Sequence, residues 1–150
     1  MDRPRIFKVY SGDEKEVIPG ALFMKHMFGD DMSIALFKFA KGMGSAAPAE
    51  VHTHGEEVGL VLKGTARVYG TDGSEFVVGA GEAIIIPRDW KHSGTFDDDE
   101  ECLIFTVAYP KRPDYGPEDE PPVPVGFHIE EKKPAVPAGT PGGASHKEEQ

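Results

Sequence analysis

Short runs of alternating apolar and polar residues follow one another through the first 110 residues of the chain. Side chains of a β-strand point alternately to the two faces of a sheet, so this pattern is typical of half-buried strands. The predicted strands cover residues 5–10, 21–28, 32–40, 65–69, 75–78, 82–87 and 101–109. They recur about every ten residues, with turn sequences such as GTDGS between them, and this predicts an all-β sandwich or barrel that can hold a small ligand.

One predicted β-hairpin, residues 50–64 (EVHTHGEEVGLVLKG), carries a row of possible metal ligands. Glu50, His52 and His54 are two residues apart and share one face of the strand. A two-residue turn at positions 55 and 56 would place Glu57 opposite His54. Imidazoles and a carboxylate are the ligands of zinc and of non-haem iron sites. A solvated hairpin face would carry the same residues, so a metal site here needs a further ligand from elsewhere in the chain.

The composition changes after residue 110. Eight of the 13 prolines lie in residues 111–150, together with a Gly-rich stretch and a charged end. Such a segment lacks the apolar residues for a core of its own. We therefore predict a β-barrel over residues 1–110 and an extended, partly disordered, Pro-rich acidic tail over residues 111–150. Tyr115 and Phe127 are expected to lie against the barrel or against a second subunit.

The net charge of −10 and the pI near 5.0 argue against nucleic-acid and anionic membrane partners, which attract basic surfaces. No apolar run approaches the roughly 20 residues of a membrane-spanning helix. The N-terminal residues lack the apolar core of a secretory signal. The single cysteine, Cys102, lies in an apolar run and suits packing in a reducing compartment. These features predict a cytoplasmic protein.

The residue spacings around the histidine row resemble the two motifs of the cupin superfamily. Glu57 and Gly64 match the end of the first motif, and EVGLVLKG is similar to the corresponding stretch of germin-like cupins. Gly81, Pro87 and His92 match the second motif at its spacing. The resemblance covers about fifty residues and implies a small jelly-roll barrel, the double-stranded β-helix.

The resemblance also implies a metal site. The family's three histidines and one glutamate correspond to His52, His54, Glu57 and His92 of this chain. Neutral imidazoles favour a divalent transition metal, Fe, Mn, Ni, Cu or Zn, over Mg or Ca. The four ligands would be held on facing strands inside the barrel.

Two departures from the family pattern affect the expected site. His54 and Glu57 are separated by two residues where the family has three or four, and the stricter spacing would instead make Glu50 and His52 the first ligand pair. The two possible ligand pairs lie on the same face of the strand, because they are offset by an even number of residues. We favour His52 and His54 as ligands and expect Glu50 to move a proton. Asp89 stands at a glycine position of the second motif, and Asp tolerates left-handed backbone.

An open metal position can polarise a substrate oxygen or, with iron, bind dioxygen. The resemblance therefore implies a metal-dependent enzyme for a small oxygenated organic substrate, and dioxygenase-type chemistry is the reaction class we expect first. A non-redox isomerase, cyclase, lyase or decarboxylase is an alternative, and so is a non-catalytic ligand-binding cupin. We also expect a homodimer through exchange or pairing of N-terminal strands, since many cupins associate in this way.

Overall fold

Nine β-strands and one helical turn account for the regular structure of the described residues, which are 3–42, 53–97 and 99–120 of a computed structural model. The strands are β1 (Lys15–Ile18), β2 (Leu22–Phe28), β3 (Ser33–Phe39), β4 (Glu56–Lys63), β5 (Thr65–Gly70), β6 (Glu75–Gly79), β7 (Ala83–Ile86), β8 (His92–Phe96) and β9 (Cys102–Tyr109). The helical turn is a 3₁₀ helix at Pro113–Tyr115. No helix within these ranges is long and apolar enough to cross a membrane.

The strands form two antiparallel sheets that share one core. The larger sheet has the order β1-β2-β3-β9-β4-β7, and the smaller has the order β6-β5-β8. Phe39 of β3 and Phe96 of β8 stack with ring centroids 4.1 Å apart and so join the two sheets. Leu22 and Met24 of β2 and Phe37 of β3 complete the same apolar cluster. The alternation in the sequence therefore produces two inner faces that close on each other, and the predicted all-β fold is confirmed.

One predicted strand, residues 5–10, is wrong, and the first strand is instead β1. Ile6 is 86% exposed and Tyr10 is 77% exposed, while Phe7 is half-buried against Phe105. This segment therefore packs on the barrel only in part and pairs with none of the described strands. The Lys8 carbonyl accepts a hydrogen bond from the Lys25 side chain rather than from a neighbouring strand. Apolar content alone made this segment resemble a strand. Each of the other predicted strands overlaps an observed one.

The chain after β9 returns to the barrel and packs on it. Tyr115 is 1% exposed and belongs to the core cluster. His26 Nε2 lies 2.9 Å from the Gly116 carbonyl oxygen, and Glu118 pairs with Arg5. Of the two positions expected for Tyr115, the one against the barrel is observed. The rest of the predicted tail, residues 121–150 with Phe127, lies outside the described residues.

Candidate metal centre

Two short segments present the histidines of the site. His92 is the first residue of β8 and is buried, whereas His54 lies just before β4. The backbone N–H of Asp89 donates to the His54 carbonyl oxygen at 2.9 Å and ties the two segments together. Asp89 has a φ of 60°, as expected for the residue that replaces the motif glycine. The connection fixes the histidines of the first and second motifs beside each other.

The predicted hairpin turn at positions 55 and 56 is wrong. Glu57 lies in β4, which pairs with β7 on one side and β9 on the other, so His54 is not its cross-strand partner. Gly55 has a different role: a Cβ added there would lie 2.3 Å from the carbonyl oxygen of Tyr109. The glycine permits a close approach to the end of β9. His54 and Glu57 nevertheless meet, with His54 Nε2 and Glu57 Oε2 3.9 Å apart.

The two histidines face each other through their Nε2 atoms, which are 3.1 Å apart. The Nδ1 atom of His54 lies 2.6 Å from the Gly55 carbonyl oxygen, and that of His92 lies 2.7 Å from the Trp90 carbonyl oxygen. A carbonyl oxygen only accepts, so both Nδ1 atoms carry the proton and donate it. In the neutral rings both Nε2 atoms then present lone pairs to each other. A positive species, either a shared proton or a metal ion, is needed between them.

Glu57 is held by a cation that sequence analysis missed. Arg112 Nη1 donates to Glu57 Oε2 at 3.1 Å, and both side chains are less than 10% exposed. Arg112 Nη2 also donates to Asp114 at 2.8 Å. Burial acts to lower the pKa of Arg112, but its interactions with Tyr115, Asp114 and Glu57 outweigh burial and raise that pKa above the usual value. The guanidinium therefore stays charged and neutralises the carboxylate beside the histidine pair.

The sequence carries only a weak signal for Arg112. It lies in the Pro-rich segment assigned to the tail, 55 residues from Glu57. The residue after it, Pro113, begins the 3₁₀ helix, as proline commonly does at the first position of a helix. That turn directs Tyr115 into the core. The aromatic residues in this Pro-rich stretch, Tyr115 among them, were the sequence signal that the segment packs.

A cavity of about 100 Å³ lies between the two sheets next to these residues. Its lining is mostly apolar and includes Phe37, Phe39 and Val61, while Glu57 and His92 border it. A mostly apolar pocket with few polar groups is the usual form of a small-molecule site.

The only tryptophan of the chain, Trp90, stacks on His92 with ring centroids 5.5 Å apart and an interplanar angle of 11°. It therefore lies directly beside the histidine pair. Arg88 and Lys91, which flank this turn, are exposed. Neither basic side chain is buried at the site.

The Nε2 atoms of His54 and His92 fit part of a metal site. Nitrogens bound to one zinc ion at about 2.1 Å lie at most about 4.2 Å apart, and the 3.1 Å between His54 and His92 falls within that limit. No group of three or more His, Cys, Asp or Glu side chains in the described ranges is placed to hold a metal. The predicted ligand His52 and the predicted acid/base residue Glu50 lie outside those ranges. The four-ligand set therefore stays a prediction.

Comparison with known proteins identifies the family. A model of the cupin domain matches residues 35–108, which include both His54 and His92. The chain belongs to the cupin superfamily. The cupin fold was thus recognised correctly from the spacing of the two motifs. No curated protein matches the sequence.

Several solved structures share the fold of this cupin. An RmlC-like cupin from Shewanella frigidimarina is 23% identical with a TM-score of 0.59, over 77% of this chain and 99% of that one. KdgF from Halomonas sp. is 22% identical with a TM-score of 0.60, over 75% and 98% of the two chains. A Klebsiella pneumoniae protein with a double-stranded β-helix domain is 20% identical with a TM-score of 0.56, over 71% and 84%. At these identities the likeness concerns the fold alone.

Proposed function

We propose that this cupin is a metal-dependent enzyme that acts on a small oxygenated organic substrate, with dioxygenase-type chemistry. The observation that supports this most is the histidine pair, whose Nε2 atoms lie 3.1 Å apart while both Nδ1 atoms face backbone carbonyls. In this proposal His52, His54, Glu57 and His92 hold one divalent transition metal (Fe, Mn, Ni, Cu or Zn). Such a metal, when bound, polarises a substrate oxygen or, as iron, supplies dioxygen chemistry.

The chain's own residues have separate tasks in this proposal. The carbonyls of Gly55 and Trp90 fix the tautomer and orientation of the two imidazoles, as hydrogen-bond acceptors behind metal ligands commonly do. Arg112 orients the Glu57 carboxylate. The apolar walls of the cavity exclude water from the substrate. Glu50 moves a proton to or from the substrate, the role proposed for it from the sequence.

A non-catalytic ligand-binding cupin is the competing function, and one observation favours it. Glu57 Oε2, the carboxylate atom 3.9 Å from His54, already accepts a hydrogen bond from Arg112. If that ion pair keeps Glu57 from the metal, the histidines alone would hold it. The cavity would then bind a ligand without transforming it.

Elemental analysis of the protein purified without an affinity metal tests the proposal. We expect about one transition metal per chain in the wild type and in His146→Ala, a control histidine outside the proposed ligand set. His54→Ala and His92→Ala should lose the metal, because each removes a nitrogen ligand. Full metal occupancy in His92→Ala would contradict the proposal.

Dioxygen consumption during substrate turnover then separates dioxygenase chemistry from the non-redox isomerase, cyclase, lyase and decarboxylase alternatives. Metal-dependent stability without turnover of any substrate in a broad panel would favour the non-catalytic function. The homodimer, the cytoplasmic location and the lack of nucleic-acid or membrane partners remain predictions from the sequence.

A further inference from the structure

Two buried hydroxyl groups have no assigned role in the site. Thr106 of β9 is 5% exposed and Tyr115 is 1% exposed. Neither Thr106 Oγ1 nor Tyr115 Oη has a partner within hydrogen-bonding geometry among the described residues. The two hydroxyls lie close enough to interact weakly with each other, and this interaction partly offsets the rise that burial causes in the pKa of Tyr115. Buried polar groups are nearly always hydrogen-bonded, because leaving one unpaired costs free energy. Both residues line the cavity beside Glu57 and His92, so a ligand in the cavity could supply the missing partner.

The rest of the cavity selects an apolar ligand of limited size. Leu22, Met24, Phe37 and Phe39 contribute apolar walls. The inward position opposite Thr106 is Gly59, and a Cβ there would meet only Ile84, at 3.5 Å, so the glycine leaves space rather than relieving a clash. An apolar cavity of about 150 Å³ accepts benzene. The 100 Å³ here suits a hydrocarbon unit no larger than a single small ring.

The charges around the hydroxyls favour a neutral ligand group. Two guanidinium groups line the cavity, and both are already paired: Arg112 with Glu57 and Asp114, and Arg67 with Glu75 and Asp97. An added carboxylate would be repelled by Glu57 and would meet no unpaired guanidinium among the described lining residues. Burial raises the pKa of Tyr115, and the charge of Glu57 raises it further, so its hydroxyl stays protonated and able to donate.

We propose that Thr106 and Tyr115 form a subsite that binds the neutral carbonyl or hydroxyl oxygen of a small, otherwise hydrocarbon ligand. A carbonyl oxygen has two lone pairs and can accept from both hydroxyls. The inference deepens the proposed function and rests on it for the view that this ligand is the substrate. The binding step itself needs no metal, so it can be tested in the metal-free protein.

Binding of cyclopentanone and of cyclopentane to the metal-free full chain tests the subsite. The two probes share a five-carbon ring and differ in the oxygen. Protein NMR titrations give both dissociation constants for the wild type, for Tyr115→Phe and for Thr106→Val. Each substitution should weaken cyclopentanone binding by about 2- to 12-fold, the range a neutral hydrogen bond contributes, and should leave cyclopentane binding unchanged.

Two controls keep the test specific. Gly59→Val fills the cavity and should weaken both probes, whereas cyclopentanecarboxylate should not compete with cyclopentanone. In the wild type, nuclear Overhauser contacts from cyclopentanone to the Tyr115 ring should be present, and this reading does not depend on how any variant folds. The proposal is overturned if cyclopentanone does not bind, or if the substitutions weaken both probes equally.

The outcomes separate this inference from the proposed function. If the protein binds cyclopentanone selectively but never takes up metal, the subsite is supported and the proposed metal-dependent enzyme is contradicted. If metal uptake depends on His54 and His92 but cyclopentanone does not bind selectively, the metal site is supported and the subsite is contradicted.

Discussion

Two buried pairs lie side by side in this cupin, and they differ in what their facing atoms present to each other. In the first, His54 and His92 direct their Nε2 lone pairs at each other across 3.1 Å. In the second, Glu57 and Arg112 form an ion pair of opposite charges at 3.1 Å. The first pair brings two lone pairs together and can hold a proton or a metal ion between them, while the second pair joins opposite charges of the chain itself. The comparison teaches that closeness of ligand-type residues does not by itself make a metal site, since each donor's other partners decide what it can bind.

Substituting Arg112 should give the largest effect that separates the two pairs. Arg112→Met leaves the Glu57 charge buried without its partner, which typically costs about 3–5 kcal/mol. We expect the free energy of unfolding from urea titration to fall by that amount. The double variant Arg112→Met with Glu57→Leu should recover most of the loss, because no uncompensated charge remains.

A matched surface pair provides the control for Arg112. Arg67 binds Asp97 at 2.9 Å, with side chains 34% and 36% exposed, and exposed ion pairs contribute little to stability. Arg67→Met should therefore change the urea midpoint far less than Arg112→Met. Equal effects of the two substitutions, or no recovery in the double variant, would show that the Glu57–Arg112 pair is not the balanced buried pair described above.

A smaller effect is expected for a buried group outside both pairs. Burial, together with the charges of the nearby Glu100 and Asp97 carboxylates, raises the pKa of the Cys102 thiol to about 12. Below about pH 9 the thiol is neutral in both the folded and the unfolded chain, so it adds no pH dependence. Stability should fall as the pH rises from about 9 toward 12, where only the unfolded chain ionises.

Alkylation kinetics measure the state of Cys102 directly. At pH 8 the folded protein should react with iodoacetamide only as fast as it opens, and the urea-unfolded protein should react at the rate of a free thiol. Rapid alkylation of the folded protein at pH 8 would contradict burial of the thiol.

The sequence predicted the parts of this molecule that depend on local spacing. Gly81, Pro87 and His92 fall within twelve residues, and their spacing located both the family and the buried histidine that begins β8. The alternation of apolar residues likewise predicted most strands, since the period of two follows from strand geometry. Asp89 adopts the left-handed backbone that its motif position required.

The sequence could not predict contacts that join distant segments. Arg112 reaches Glu57 from a Pro-rich stretch whose composition indicated a tail. Gly55 matched a hairpin turn by residue type, but its absent side chain serves an approach to Tyr109, 54 residues away. Such contacts depend on how β9 and the segment after it close over the barrel. Local propensity carries no information about that closure.

The central claim is that the histidine pair requires a cation between its two Nε2 atoms, and ¹⁵N NMR of the imidazoles tests it most directly. The metal-free protein is compared before and after one equivalent of Zn²⁺. We expect the Nδ1 atoms of His54 and His92 to be protonated in both states, and both Nε2 resonances to shift together to those of metal-bound nitrogens. Unprotonated Nδ1 atoms, or Nε2 resonances that Zn²⁺ leaves unchanged, would contradict the account.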